Sequence, residues 1–210
     1  MPNWCTTTYH FRGSENELIY LSNKVREWTS KPLVPNGFGN SWLGNILHGA
    51  GLGGLIDNPE DEDTVNCRGS LIEVSEPDHG YFSVITETTW VPMAKMWYKV
   101  IEHLGLKSVG FAFIAEEPGF GIYWIYDPDG YGDFLNDEVY IDSYGNRELD
   151  SINDYYRKAD AVEVLNDFFK TELGRIEDFI PLCERYNEEH EEDDYYINVH
   201  TFEVDNDFGD

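Results

Sequence analysis

Asn3-Trp4-Cys5-Thr6-Thr7-Thr8-Tyr9-His10-Phe11 is the stretch on which the fold turns. Its side chains alternate, with Cys5, Tyr9 and Phe11 on one side and Trp4, Thr6, Thr8 and His10 on the other, which is the two-residue period of a strand with one apolar face. Gly13 breaks the strand. Ser14 followed by Glu17 reads as a capping box, and Leu18, Leu21, Val25 and Trp28 then recur at three- and four-residue intervals, so the strand passes directly into an amphipathic helix.

Outward from there, residues 71–74 and 81–88 read as strands joined by the turn Glu76-Pro77-Asp78-His79-Gly80. Pro92 suits the first turn of a second helix, which carries Met96, Trp97, Val100, Ile101 and Leu104 and ends at Gly105. Residues 109–115 give the next strand. The order strand, helix, strand, strand, helix, strand is the split βαβ pattern of ferredoxin-like folds. The expected fold class is therefore α+β, a ferredoxin-like antiparallel sheet with an insertion after the first helix and a C-terminal helical extension. The expected domains are residues 1–150, with the insertion at 29–68, and an acidic, mainly helical extension at 151–210. A further hairpin turns at Glu116-Glu117-Pro118-Gly119 and continues through residues 120–126, with 139–141 a candidate continuation after an acidic loop. Residues 195–204 read as a strand that rejoins the sheet.

The chain has 210 residues, 41% of them apolar and 15% aromatic, enough to bury a sizeable core. Forty-one acids against 14 bases give a formal charge of −27. Phosphate backbones and anionic membrane surfaces meet a negative field here, so neither direct nucleic-acid binding nor membrane binding is expected. A basic, nucleic-acid-handling protein suits the charge as a partner. Cys5, Cys67 and Cys183 are isolated and odd in number, which argues against a disulfide framework or a zinc site. No basic region with an apolar stretch opens the chain and no run approaches about 18 apolar residues, so the expected location is cytoplasmic.

Met1-Pro2-Asn3-Trp4-Cys5, Phe11 with Gly13, Thr86-Glu87-Thr88-Thr89-Trp90-Val91-Pro92 and Glu117-Pro118-Gly119-Phe120-Gly121 together frame residues 1 to about 126. In order and spacing they resemble the YubB ferredoxin-like family of plasmid- and phage-associated bacterial proteins, whose biochemical role is not established. Family members often carry Asn shortly after the cysteine, where this chain has Thr6-Thr7-Thr8. The resemblance implies a ferredoxin-like fold and a mobile-element context, and it supplies no catalytic residue.

Catalytic and cofactor signatures are weak. The six histidines show no ligand spacing, no cofactor is expected, and the chain reads more as a binding protein than as an enzyme. Pro2, as a terminal amine base, lacks a basic neighbour in the sequence. Gly49 to Gly54 formally fits GxGxxG, but a helix-like stretch precedes it and acids follow, so a mobile glycine loop is the expectation. Asp127, Asp129, Asp133 and Glu138 hold positions 1, 3, 7 and 12 of an EF-hand-like loop with Gly132 at position 6; an acidic hairpin turn is the plainer reading, and weak divalent-cation binding the functional one.

Two functional readings result. The first is a non-enzymatic protein-binding module, sharpened to a mimic of nucleic acid by the acidic surface Glu188, Glu189, Glu191, Glu192, Asp193 and Asp194. The second is a small-molecule binder or enzyme with a cleft under the glycine-rich insertion. Its candidate binding residues are Asn3, Trp4, Trp42, His48, Glu87 and Trp90. For Trp4 itself a core position is expected.

Overall fold

The computed structural model describes residues 3–132 and 138–206. Pro2 and Asp133 lie outside the described residues. The chain divides into two compact units, residues 1–134 with 204–210, and residues 135–203.

Unit 1 is built on a sheet whose strands run β1 (Trp4–Arg12), β2 (Gly69–Val74), β3 (Tyr81–Thr89), β4 (Gly110–Glu117) and β5 (Ile122–Tyr126). Their spatial order is β2-β3-β1-β4-β5, and the returning chain adds a short edge strand beside β5 at Glu203–Val204. The alternation in β1 is realised: Cys5, Tyr9 and Phe11 are buried on the face that receives α1 (Glu15–Ser30) and α3 (Ala94–His103). Leu18, Leu21, Val25 and Trp28 come from α1, and Met96, Trp97 and Val100 from α3. Phe11 stacks on Phe82 at 4.9 Å between ring centroids and takes the edge of Trp97 at 5.0 Å. Fully burying a side chain of this kind contributes about 1.5–3 kcal/mol, so the aromatic layer secures the sheet to its helices.

The start of α1 differs from the sequence expectation. Ser14 makes no side-chain cap. Instead Ser108, just before β4, accepts the Ser14 N–H (2.9 Å) and donates to the Glu17 carboxylate through its hydroxyl (2.6 Å) and its backbone N–H (2.9 Å). These donors, the hydroxyl foremost, hold the Glu17 carboxyl below its ordinary range. A partner 91 residues away has displaced the local one.

The insertion is organised along β2. Leu71 N–H donates to Ser41 (2.7 Å) and Leu43 N–H to Gly69 (3.1 Å), after which α2 (Gly44–Gly49) sends Ile46 and Leu47 into the same core. The glycine run is a packing device. A Cβ at Gly49 would collide with the Trp28 indole and one at Gly53 with the His48 ring, so these positions admit close neighbours.

Unit 2 corrects the expected extension. It is a three-stranded antiparallel sheet ordered β7-β6-β8, with β6 (Glu138–Tyr144) central between β7 (Asp154–Arg157) and β8 (Tyr196–Thr201). With α4 (Arg147–Asp150), α5 (Lys158–Phe169) and α6 (Ile180–Glu189), it encloses Val139, Ile141, Leu149, Leu165, Phe179, Cys183 and Ile197. Residues 139–141 thus belong here and not to a hairpin of the first sheet, and most of the C-terminal strand pairs with β6. The division accordingly falls before β6, ahead of the change in sequence character near residue 150. No helix among the described residues is long and apolar enough to cross a membrane.

Candidate functional site

The beginning of β1, the end of β3 and the end of β4 converge, because β1 is antiparallel to both neighbours: Trp4 lies opposite Thr89, and Thr6 opposite both Glu87 and Glu116. Three stretches distant in sequence, at residues 3–5, 86–92 and 117–121, therefore form one corner of unit 1. The Asn3 carbonyl accepts the Trp90 N–H at 3.1 Å, and the Asn3 amide lies against Gly119 where a Cβ would clash. Glu117, only 2% exposed, accepts the N–H groups of Gly119 (2.9 Å) and Phe120 (2.6 Å) and fixes the following turn.

Trp90 is left-handed, with φ 72°. That region costs an L-residue roughly 1–2 kcal/mol. The conformation is held by the bond to Asn3 and by the Thr88 hydroxyl, which donates to the Val91 carbonyl at 2.7 Å. Its result is an indole turned half outward. Trp4 is likewise 50% exposed and not a core residue, because it opens β1 on the face opposite the helices.

Two clefts adjoin this corner. The first, about 320 Å³, runs between residues 64–68 and the β3–α3 connection and is lined by Asn66, Arg68, Thr88, Thr89, Trp90, Lys95 and Met96 among others. The second, about 430 Å³, is walled by Trp4, Phe38, Trp42, Asp57, Cys67, Ser70 and again Arg68 and Thr89. Trp42 is positioned by its own N–H, which donates to the Cys67 carbonyl (2.9 Å), and by Phe38, 4.9 Å away between ring centroids. Arg68 is anchored through its backbone carbonyl, which accepts from the Thr89 N–H (2.8 Å) and hydroxyl (3.2 Å). Its exposed guanidinium has no hydrogen bond or ion pair among the described residues. Lys95 donates to the Glu62 carbonyl at 2.8 Å, a neutral acceptor; it makes no ion pair among the described residues, although, after the Lys99 hydrogen bond, its charge helps to lower the Asp63 carboxyl. Burial pushes the Cys5 thiol up to about 11 and the Cys67 thiol up to about 12, so neither is a poised nucleophile.

Of the sequence candidates, Asn3, Trp4, Trp42 and Trp90 come together here. Glu87 is exposed on the sheet face opposite Thr6 and Ser70 but lines neither cleft, and His48 stays on α2 with its ring 6.1 Å from that of Trp42. The clefts lie beside the strand ends and not under the glycine run, because Gly49 and Gly53 are spent on packing. Arg68, Asp57, Phe38 and Thr89 were not legible as site residues; single residues in an aperiodic insertion or at a strand end carry no spacing signal.

The described part of the acidic loop, residues 127–132, forms a turn, and Asp133 lies outside the described residues. Both Asp127 oxygens accept backbone N–H groups, from Tyr131 (2.9 Å) and Gly132 (2.8 Å), Glu138 opens β6 in unit 2, and the described residues contain no group of three or more metal-ligating side chains. The acidic surface of unit 2 is a solvated end: Glu188 and Glu189 close α6, Glu191, Glu192 and Asp193 make one 3₁₀ turn, and Asp194 follows in a left-handed conformation. All six are exposed. No protein-family model, curated protein or solved structure matches the chain.

Proposed function

We propose that this chain is a recognition protein that holds a small aromatic ligand at the corner of unit 1 formed by Asn3, Trp4, Trp42 and Trp90. The observation that carries the reading is the 430 Å³ cleft walled by Trp4 and Trp42, residues that only the fold brings together. A concave site with aromatic walls and a few polar groups is the usual form of a small-molecule site, and its volume falls in the usual range of about 300–1,000 Å³. The residues lining it carry recognition groups: aromatic planes, a guanidinium, a carboxylate and hydroxyls. The strand order β2-β3-β1-β4, with α1 and α3 on one face, supports a ferredoxin-like assignment for unit 1. The meeting of residues 3–5, 86–92 and 117–121 at one corner supports the YubB ferredoxin-like resemblance and, with it, a mobile-element context.

A second reading is a protein interface at the same corner. Trp4, Trp90, Val91 and Phe120 are 46–67% exposed there, and exposed aromatic anchors are what interfaces use; the charge of −27 suits a basic partner. Mimicry of nucleic acid by the acidic end of unit 2 is less well supported. At about 1.5–2 Å per residue, residues 188–194 extend roughly 10–14 Å, well short of the roughly 34 Å of one duplex turn.

The test is 19F NMR of 5-fluorotryptophan-labelled protein titrated with a panel of small aromatic compounds. The expected result is movement of the Trp4, Trp42 and Trp90 resonances while those of buried Trp28 and Trp97 stay fixed. No movement at any concentration, or uniform movement of every resonance, would refute the site.

A further inference from the structure

The geometry points to a mononucleotide as the ligand class: a nitrogen-bearing ring against Trp4 and Trp42 with its amino edge toward Asp57, joined to a phosphate that reaches Arg68 and Lys95. This inference rests on reading the corner as a small-molecule site. What it adds is the second cleft, because Arg68 lines both cavities and makes them two halves of one site.

The chemistry of the halves differs. The larger offers aromatic planes and one carboxylate, which suits a flat ring with N–H donors; base–aromatic stacking is favourable whichever base is present. The smaller offers cations. The Arg68 guanidinium presents five donors in a fork that fits phosphate oxygens two at a time, and no carboxylate among the described residues occupies it. The nearby hydroxyls do not compete for this role, since Thr64, Thr88 and Thr89 each donate to a backbone carbonyl. An anion entering the smaller cleft is therefore met by two cations, Arg68 and Lys95, with Asn66 a neutral residue beside them in the lining. The charge of the chain then sets the ligand's size: one phosphate finds two local cations, whereas a strand would carry its remaining phosphates into a field of −27.

The experiment is a titration of the full chain with adenosine monophosphate, adenosine, inorganic phosphate and a single-stranded oligonucleotide, read by calorimetry and tryptophan fluorescence, repeated with Arg68→Gln and Trp4→Ala. Both side chains are exposed, and a matching urea midpoint for each variant establishes that it folds. The expected result is monophosphate binding at least ten-fold tighter than adenosine, an advantage erased by Arg68→Gln, with Trp4→Ala weakening monophosphate and nucleoside alike. If adenosine binds as well as the monophosphate, or Arg68→Gln changes nothing, the phosphate assignment falls while the aromatic site stands. Inorganic phosphate matching the monophosphate would overturn the ring half, and an oligonucleotide binding more tightly would overturn the size argument. Failure of all four probes to bind would overturn the nucleotide assignment, and the wider aromatic panel then decides whether the corner is a site at all.

Discussion

Trp90 provides a test in which stability should run against its ordinary order. Alanine normally exceeds glycine, whose extra freedom in the unfolded chain costs about 0.5–1 kcal/mol. At φ 72° the balance reverses, since an L-residue in this region costs roughly 1–2 kcal/mol that glycine avoids. Either replacement also deletes an indole that is 49% exposed. Half of the roughly 200 Å² that such a side chain can bury, at about 25 cal/mol per Å², comes to about 2.5 kcal/mol. Trp90→Ala should therefore lose about 2.5 kcal/mol, and Trp90→Gly about 0.5–1 kcal/mol less. Urea unfolding followed by tryptophan fluorescence isolates the effect, because all six tryptophans lie in unit 1 and five remain after the substitution. With a slope of about 2 kcal/mol per M, the glycine variant should unfold at roughly 0.3–0.5 M more urea than the alanine variant. An alanine midpoint equal to or above that of glycine would mean that residue 90 is not held left-handed, and the account of how its indole is turned outward would fail with it.

Glu117→Gln should cost about 1–3 kcal/mol, since one neutral amide oxygen replaces a carboxylate that serves two N–H groups from a buried position; an unchanged urea midpoint would show that the turn needs no cap. Gly49→Ala should cost about 1–3 kcal/mol through overpacking against Trp28, read by the same unfolding assay, and an unchanged midpoint would mean that the α1–α2 contact is slack. Burial raises Cys5 to about 11 and Cys67 and Cys183 to about 12 from an ordinary 9.0, so the native thiols stay protonated after those of the unfolded chain begin to ionise. Their contribution to stability is complete below pH 9 and is lost as the pH rises from there through 11 to 12. Iodoacetamide should accordingly label all three slowly in native protein at pH 8 and rapidly in urea, and fast native labelling would contradict the burial.

The periodic parts of the molecule were legible and the irregular parts were not. Cys5, Tyr9 and Phe11 announce β1, and Leu18 to Trp28 announce α1, because burial on one face imposes a period that the residues must follow. Ser14 and Glu17 satisfy a local pattern yet bond to Ser108, a choice decided by tertiary proximity. Unit 2 reads from sequence as a helical extension because β7 is four residues long with little burial, and the alternation at 139–141 does not say which strands will flank it. At the site, Trp4, Trp42 and Trp90 stood out as tryptophans. Arg68 did not, since its significance lies in which neighbours it lacks.

The chain departs from unit 1 after β5 and comes back beside the point of departure: Asp205 N–H donates to the Ile125 carbonyl (2.9 Å), and Asp127 N–H to the Asn206 side chain (3.0 Å). Unit 2 is thus a cassette spliced into a host whose two cut ends are already neighbours. Cutting the chain at about residue 150 would strip β6 of both flanking strands and take the returning edge strand from the host. Excising residues 135–202 and closing the gap with a short linker would leave every strand from β1 to β5 and its returning edge at Glu203–Val204 in place, and would give a host that can be studied without its passenger.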